Sequence, residues 1–215
     1  MIGDHITQVQ TIFATLFEAD DVIPDGRQFD RLVAEGDSWV FRTDRDEARD
    51  SIIEAAIEQP NRRLLVDLAA QTHDPLVKWI DESGVLEMAA ESGFTLTYWH
   101  VMDSGRDSVD LLKKLLDRFG ARLNYVLVRN QMRGDDFAML EQSGEQDRAL
   151  GFGARVVSIK HLSDAVIQKI DASSSSFWAA QHDADKSRTG LGMMDRQRLK
   201  MWLRDAYQQI DAAQV

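Results

Sequence analysis

Cysteine is absent from all 215 residues, which excludes disulfides, thiolate metal sites and cysteine nucleophiles. No stretch approaches the roughly 18 apolar residues of a membrane-spanning helix. The opening Met1-Ile2-Gly3-Asp4-His5 lacks the basic and apolar regions of a signal peptide. A cytoplasmic location is therefore expected. The five histidines include no pair at HxxxH or HExxH spacing, which argues against a histidine-ligated transition metal. No GxSxG elbow is present, so serine hydrolase chemistry has no support, and Ser173 to Ser176 read as linker. Excess positive charge is missing too. A formal net charge of −11 argues against a surface built as a whole to neutralise phosphates. Two local basic clusters, Arg196, Arg198, Lys200, Arg204 and Lys113, Lys114, Arg118, Arg122, are read first as solvated helix faces.

What is present points to an ordinary globular chain. A hydrophobic content of 44% and this length suffice for one substantial core. Residues 1–215 are expected to form a single α/β domain, with 1–172 as the sheet core, 173–192 as a flexible linker containing a short helix around Trp178, and 193–215 as a terminal helix. Apolar spacing predicts a helix over 6–16, then a Pro24-Asp25-Gly26 turn, a short helix over 29–33, an edge strand at 39–41 and a helix over 44–57. Strands are then predicted at 64–68, 94–102, 123–128 and 155–159. Helices separate them: one from Asp74-Pro75, with an acidic N-cap and proline at the first helical position, one over 86–91 stopped by Gly93, one over 108–119 stopped by Gly120, and a short helical region running to Gly153. Leu162, Ala165, Val166 and Ile170 form one further apolar stripe, and Leu199, Trp202, Leu203, Ala206 and Ile210 another. Alternation of strand and helix predicts a three-layer α/β fold with a mostly parallel sheet, crossover helices and a helical C-terminal cap.

In such sheets ligands bind beyond the carboxyl ends of the strands. Three predicted strands end in a polar residue there: Asp67 in LLVDLAAQT, Asp103 in YWHVMDSGRDS and Asn130 in LNYVLVRNQ. Asp103, with Arg106 and Asp107, is a candidate cofactor contact at the sheet edge, although capping of the helix that follows explains the same residues more simply. His73, just past Asp67, has the chemistry to meet a phosphate or move a proton, but reads first as a surface loop histidine. His100, inside a strand, reads as a satisfied histidine near the core. Trp79, Trp99 and Trp202 fall in periodic elements and read as structural, whereas Trp39 and Trp178 are expected to be partly exposed.

From Leu64 to about Ile170 these strand ends resemble the ParA/MinD-like NTPases with a deviant Walker motif, particularly the divergent members of plasmid partition, mobilisation and conjugal transfer. The resemblance implies a partial P-loop NTPase fold. It assigns Asp67 to magnesium and to organising the attacking water, Asn130 to the adenine ring, and the loop Ala69 to Asp74 to a switch. It implies ATP and magnesium as cofactors, a nucleotide-linked homodimer, and a DNA-bound, relaxosome or partition protein as partner. The family's glycine-rich lysine loop, GxxxxGK(S/T) in its general form, does not occur in this sequence. Asp4 stands where the family's second strand ends, so a reading frame truncated at an internal Met is expected, with ATPase activity only if the upstream loop is restored. Without that loop, the positioning and charge stabilisation that carry phosphoryl transfer are missing. The alternative is a non-hydrolysing ParA-like adaptor that binds a protein partner. A phospho-receiver reading of Asp67 and Lys160 lacks the acidic pair that receivers place at their first strand.

Overall fold

In the computed structural model the described residues are 39–40, 50, 53–54, 56–57, 66–67, 73–182 and 189–213. The helices expected over 6–16 and 29–33, the Pro24 turn, Asp4 and residues 69–72 of the expected switch lie outside them. The chain divides into two compact units, Met1–Thr95 and Leu96–Val215.

In the first unit, β1 (Trp39–Val40) pairs in parallel with β2 (Val66–Asp67), with Val40 opposite Asp67. Parallel neighbours require a crossover, and residues 50, 53–54 and 56–57 between them are helical, as the sequence predicted. Helix α1 (His73–Glu82) buries Leu76, Trp79 and Ile80. It begins at His73, so this histidine is a half-buried first-turn residue and not part of the preceding loop. The Trp79 indole donates to Asp50 Oδ1 at 3.1 Å, satisfying the polar end of a buried ring. Helix α2 (Val85–Ser92) ends as expected at Gly93, whose φ of 76° lets its N–H close on the Ala89 carbonyl.

The second unit is built on a three-stranded parallel sheet in the order β3 (Thr97–Met102), β4 (Asn124–Asn130), β5 (Arg155–Ile159). Thr97 stands opposite Asn124, and Asn130 opposite Ile159. Tyr125 to Val128 of the central strand are buried consecutively, so both of its faces are covered, as parallel strands with crossover helices require. Helix α3 (Arg106–Phe119) connects β3 to β4 and buries Val109, Leu112, Leu115, Leu116 and Phe119 along one stripe. Helices α4 (Ala138–Ser143) and α5 (Glu145–Gly151) connect β4 to β5 and pack on α3. They are separate because Gly144 sits at φ 77°, a left-handed break that glycine accepts without strain. Besides the partly described helix at 50–57, the described residues hold eight α-helices, two in the first unit and six in the second, where they accompany this parallel sheet in a mixed α/β architecture.

Helix α6 (Asp164–Ala172) buries Val166 and Ile170. Ala165, placed by the sequence on the same stripe, is exposed instead; the helix faces inward along the 162-166-170 line. Residues 173–192 were expected to be a linker with a short helix around Trp178; that helix is α7 (Phe177–His182), and its Phe177 and Ala180 are buried. The Phe177 ring lies 5.0 Å from that of Trp202, and the Ala180 carbonyl accepts from Arg196 Nη1 at 3.0 Å. Where it is described, this stretch is therefore packed.

The last helix, α8 (Met193–Ala212), buries Leu199, Trp202, Leu203 and Ala206 and runs beside β5. Its side chains complete the backbone of that strand's free edge. Ser158 N–H donates to Gln209 Oε1 at 3.1 Å, and Trp202 Nε1–H donates to the Lys160 carbonyl at 2.6 Å. Lys160 Nζ in turn lies 3.2 Å from Asp205. An unpaired strand edge is a template for unwanted pairing, and here a helix covers it.

Candidate functional site

The carboxyl ends of β3, β4 and β5 lie on one side of the second unit's sheet, and the loops leaving them form the candidate site. After β3, Asp103 is half-buried. Its Oδ1 accepts from Gly105 N–H at 2.9 Å and from the Ser108 hydroxyl at 2.7 Å. This carboxylate organises the start of α3, whose N-cap Gly105 has no side chain to do so. Beneath it, His100 is buried and its Nε2 lies 2.9 Å from the Ser108 carbonyl, which agrees with its reading as a satisfied core histidine. Arg106 pairs with Asp110 at 3.5 Å on the exposed face of α3, and Asp107 is exposed.

After β4, Asn130 is 5% exposed, an uncommon degree of burial for an amide. Its Oδ1 accepts the Met132 N–H at 3.2 Å and folds Gln131–Arg133 into a single 3-10 turn. Gly134 ends that turn at φ 145° and ψ 159°, a conformation essentially restricted to glycine. A β-carbon at Gly134 would stand 3.9 Å from Ser104 Oγ, so the loops after β3 and β4 run side by side. Gly134→Ala is expected to cost about 1–3 kcal/mol and to reshape this rim, measured as a lowered urea midpoint with changed amide shifts confined to 131–136. Arg129, one residue before Asn130, clamps α4 and α5 against the strand end: it donates to Glu141 at 3.0 Å and to Gln146 at 3.1 Å, and its guanidinium lies 5.4 Å from the Phe137 ring centroid.

Together the loops after β4 and β5 enclose a depression of about 470 Å³ lined by Gln131 to Asp135, His161 and Asp164. His161 Nε2 lies 3.0 Å from Asp164 Oδ1. Sequence reasoning identified Asn130 and the polar character of residues 130–136, but missed His161 and Asp164. The rule that ligands gather beyond the carboxyl ends of parallel strands would have found them, since both directly follow β5.

The Asn130 carbonyl keeps a second lone pair beyond its bond to Met132, and its NH2 carries two donors. The amide therefore has the groups to donate and to accept beyond its bond to Met132. The depression's lining carries one guanidinium, Arg133, against the carboxylates of Asp135 and Asp164, a poor field for phosphates. No group of three His, Cys, Asp or Glu positioned to hold a metal occurs among the described residues. Two phenols near the sheet, Tyr98 and Tyr125, are pushed up to about 12 by burial. They stay protonated at neutral pH, and Tyr125 donates to the Gly120 carbonyl at 2.7 Å.

Asp67 lies in β2 of the first unit, opposite Val40, within the strand predicted over 64–68. Asp103 and Asn130 end neighbouring strands of the second unit. Comparisons with family models, with curated proteins and with solved structures found no match to this chain.

Proposed function

We propose that this chain is a ParA-like nucleotide-binding protein of plasmid partition, mobilisation or conjugal transfer, with a partial P-loop NTPase fold. The observation that carries the reading is the buried Asn130 at the carboxyl end of the central parallel strand, next in sequence to the first residue lining an open depression of about 470 Å³. At the second unit Asn130 holds the adenine ring and Asp103 fixes the neighbouring loop through Gly105 and Ser108; the first unit, taken by itself, offers Asp67 as a magnesium carboxylate. When bound, the magnesium nucleotide supplies a charge-neutralised phosphate chain whose presence or absence sets the protein's state. The chain's own part at the second unit is base recognition: excluding water behind Asn130, orienting its amide through Met132, and walling the base with His161 and residues 131–135.

The test uses the chain of this sequence. Saturation-transfer NMR with adenosine and with guanosine is expected to give signal for adenosine alone. Equal signals, or none for adenosine, would remove the reading. Calorimetry with magnesium-ATP is expected to show binding no tighter than about millimolar, because this sequence contains no glycine-lysine phosphate loop; micromolar affinity would show that phosphates are held by residues not proposed for that role.

A further inference from the structure

The outward face of α8 is unlike the rest of the surface. Its buried side is Leu199, Trp202, Leu203 and Ala206. On the opposite side Met194, Gln197, Met201, Arg204 and Gln208 are all exposed, and they recur at the alternating three- and four-residue spacing of a helix-pairing seam. Met193, Met194 and Met201 are 86%, 61% and 42% exposed, an apolar surface concentrated on one helix. The carboxylates of this stretch are turned into the unit's own ion pairs. Asp195 lies 2.6 Å from Lys169 and 2.9 Å from Arg198, and Asp205 lies 3.2 Å from Lys160. From Met193 to Gln208 the exposed charged side chains are Arg198, already paired with Asp195, and Lys200 and Arg204, all positive, on a chain whose net charge is −11.

A local positive field on an acidic molecule selects an acidic partner, and setting α8 against α8 of a second copy would oppose the same cations. Flexible, polarisable methionines re-pack around the apolar anchors of a helix, and anchors at i, i+3, i+4 and i+7 are how an amphipathic helix is gripped. We propose that the outward face of α8 docks an acidic amphipathic helix of a partner protein, its apolar stripe on Met194 and Met201 and its carboxylates on Lys200 and Arg204. Docking needs no nucleotide and is independent of the function proposed above.

The probe is a fluorescent three-heptad peptide with leucine along its seam and glutamate at the flanking positions, titrated against the full chain by anisotropy. Saturable binding in the micromolar range is expected, weakened about tenfold or more by Met194→Ser with Met201→Ser, and separately by Lys200→Glu with Arg204→Glu. The same peptide with lysine in place of glutamate should bind the charge-reversed variant and not the parent. All four positions are exposed, so circular dichroism should show both variants folded. Equal binding of the two peptides by the parent, or no saturable binding of the acidic one, overturns the proposal. So does a parent that self-associates through these methionines in sedimentation, or one that prefers duplex DNA or phosphatidylserine vesicles to the acidic peptide.

Discussion

Trp202→Ala is expected to remove about 3–5 kcal/mol of folding stability, the usual loss for truncating a buried indole. Three contacts make this residue expensive to lose. Its ring is 6% exposed, it packs on Phe177 at 5.0 Å, and its Nε1–H is given to the Lys160 carbonyl at 2.6 Å. Alanine therefore opens a cavity between α7 and α8 and unpins α8 from the β5 edge in the same stroke. Trp202→Phe separates the two effects. It keeps an aromatic ring but not the donor, and is expected to cost about 1 kcal/mol for the lost hydrogen bond, together with a smaller packing loss. Urea unfolding followed by circular dichroism measures both. An alanine variant within about 1 kcal/mol of the parent would mean that α8 does not fasten the sheet as described.

Asn130→Ala is expected to abolish adenosine binding and to lower stability by about 1–3 kcal/mol, since the Met132 N–H loses its acceptor in a largely buried turn. Asn130→Asp distinguishes base recognition from turn formation. Aspartate keeps an oxygen for Met132 but has no NH2 for a purine nitrogen, so the turn should survive while the adenosine signal disappears. If Asn130→Asp binds adenosine like the parent, the side chain shapes the loop and nothing more, and the base-reading role falls. Saturation-transfer NMR and a urea midpoint on the same samples separate these outcomes.

Those two residues differ in how far the sequence revealed them. Asn130 was legible because a polar residue closing an apolar run beyond a parallel strand is a local pattern, and such runs are short and strongly marked. β5 coincides with its predicted span, Arg155–Ile159, while β4 extends two residues past the predicted end at Val128. The extension carries Arg129 and Asn130 into the strand because Glu141, Gln146 and Met132 give their polar groups partners, a tertiary effect that hydropathy cannot signal. β3 starts at Thr97 and not at Phe94, the expected uncertainty at element ends. Trp202 was legible as a core residue of an amphipathic helix, but not as a donor to Lys160, 42 residues earlier in the chain. The short helix around Trp178 was legible in 173–192, but its packing was not, because serine, glycine and charge resemble loop chemistry, whereas burial of Ser176, Phe177, Thr189 and Leu191 depends on where α8 lies. Pairing His161 with Asp164 and bringing both to the depression beside Asn130 likewise required the sheet order.

The contact between Ser158 and Gln209 spans 51 residues of sequence, which has a consequence on the ribosome. Synthesis proceeds at about 5–20 residues per second, so β5 is made roughly 3–10 s before the side chain that covers its edge. Parallel strands can assemble within that interval, leaving a nascent sheet with its β5 side open. A chaperone or a co-translational partner acting in that window would meet backbone groups that the finished protein hides. Slowing elongation between codons 160 and 209 should lengthen the exposure without changing any residue of the product.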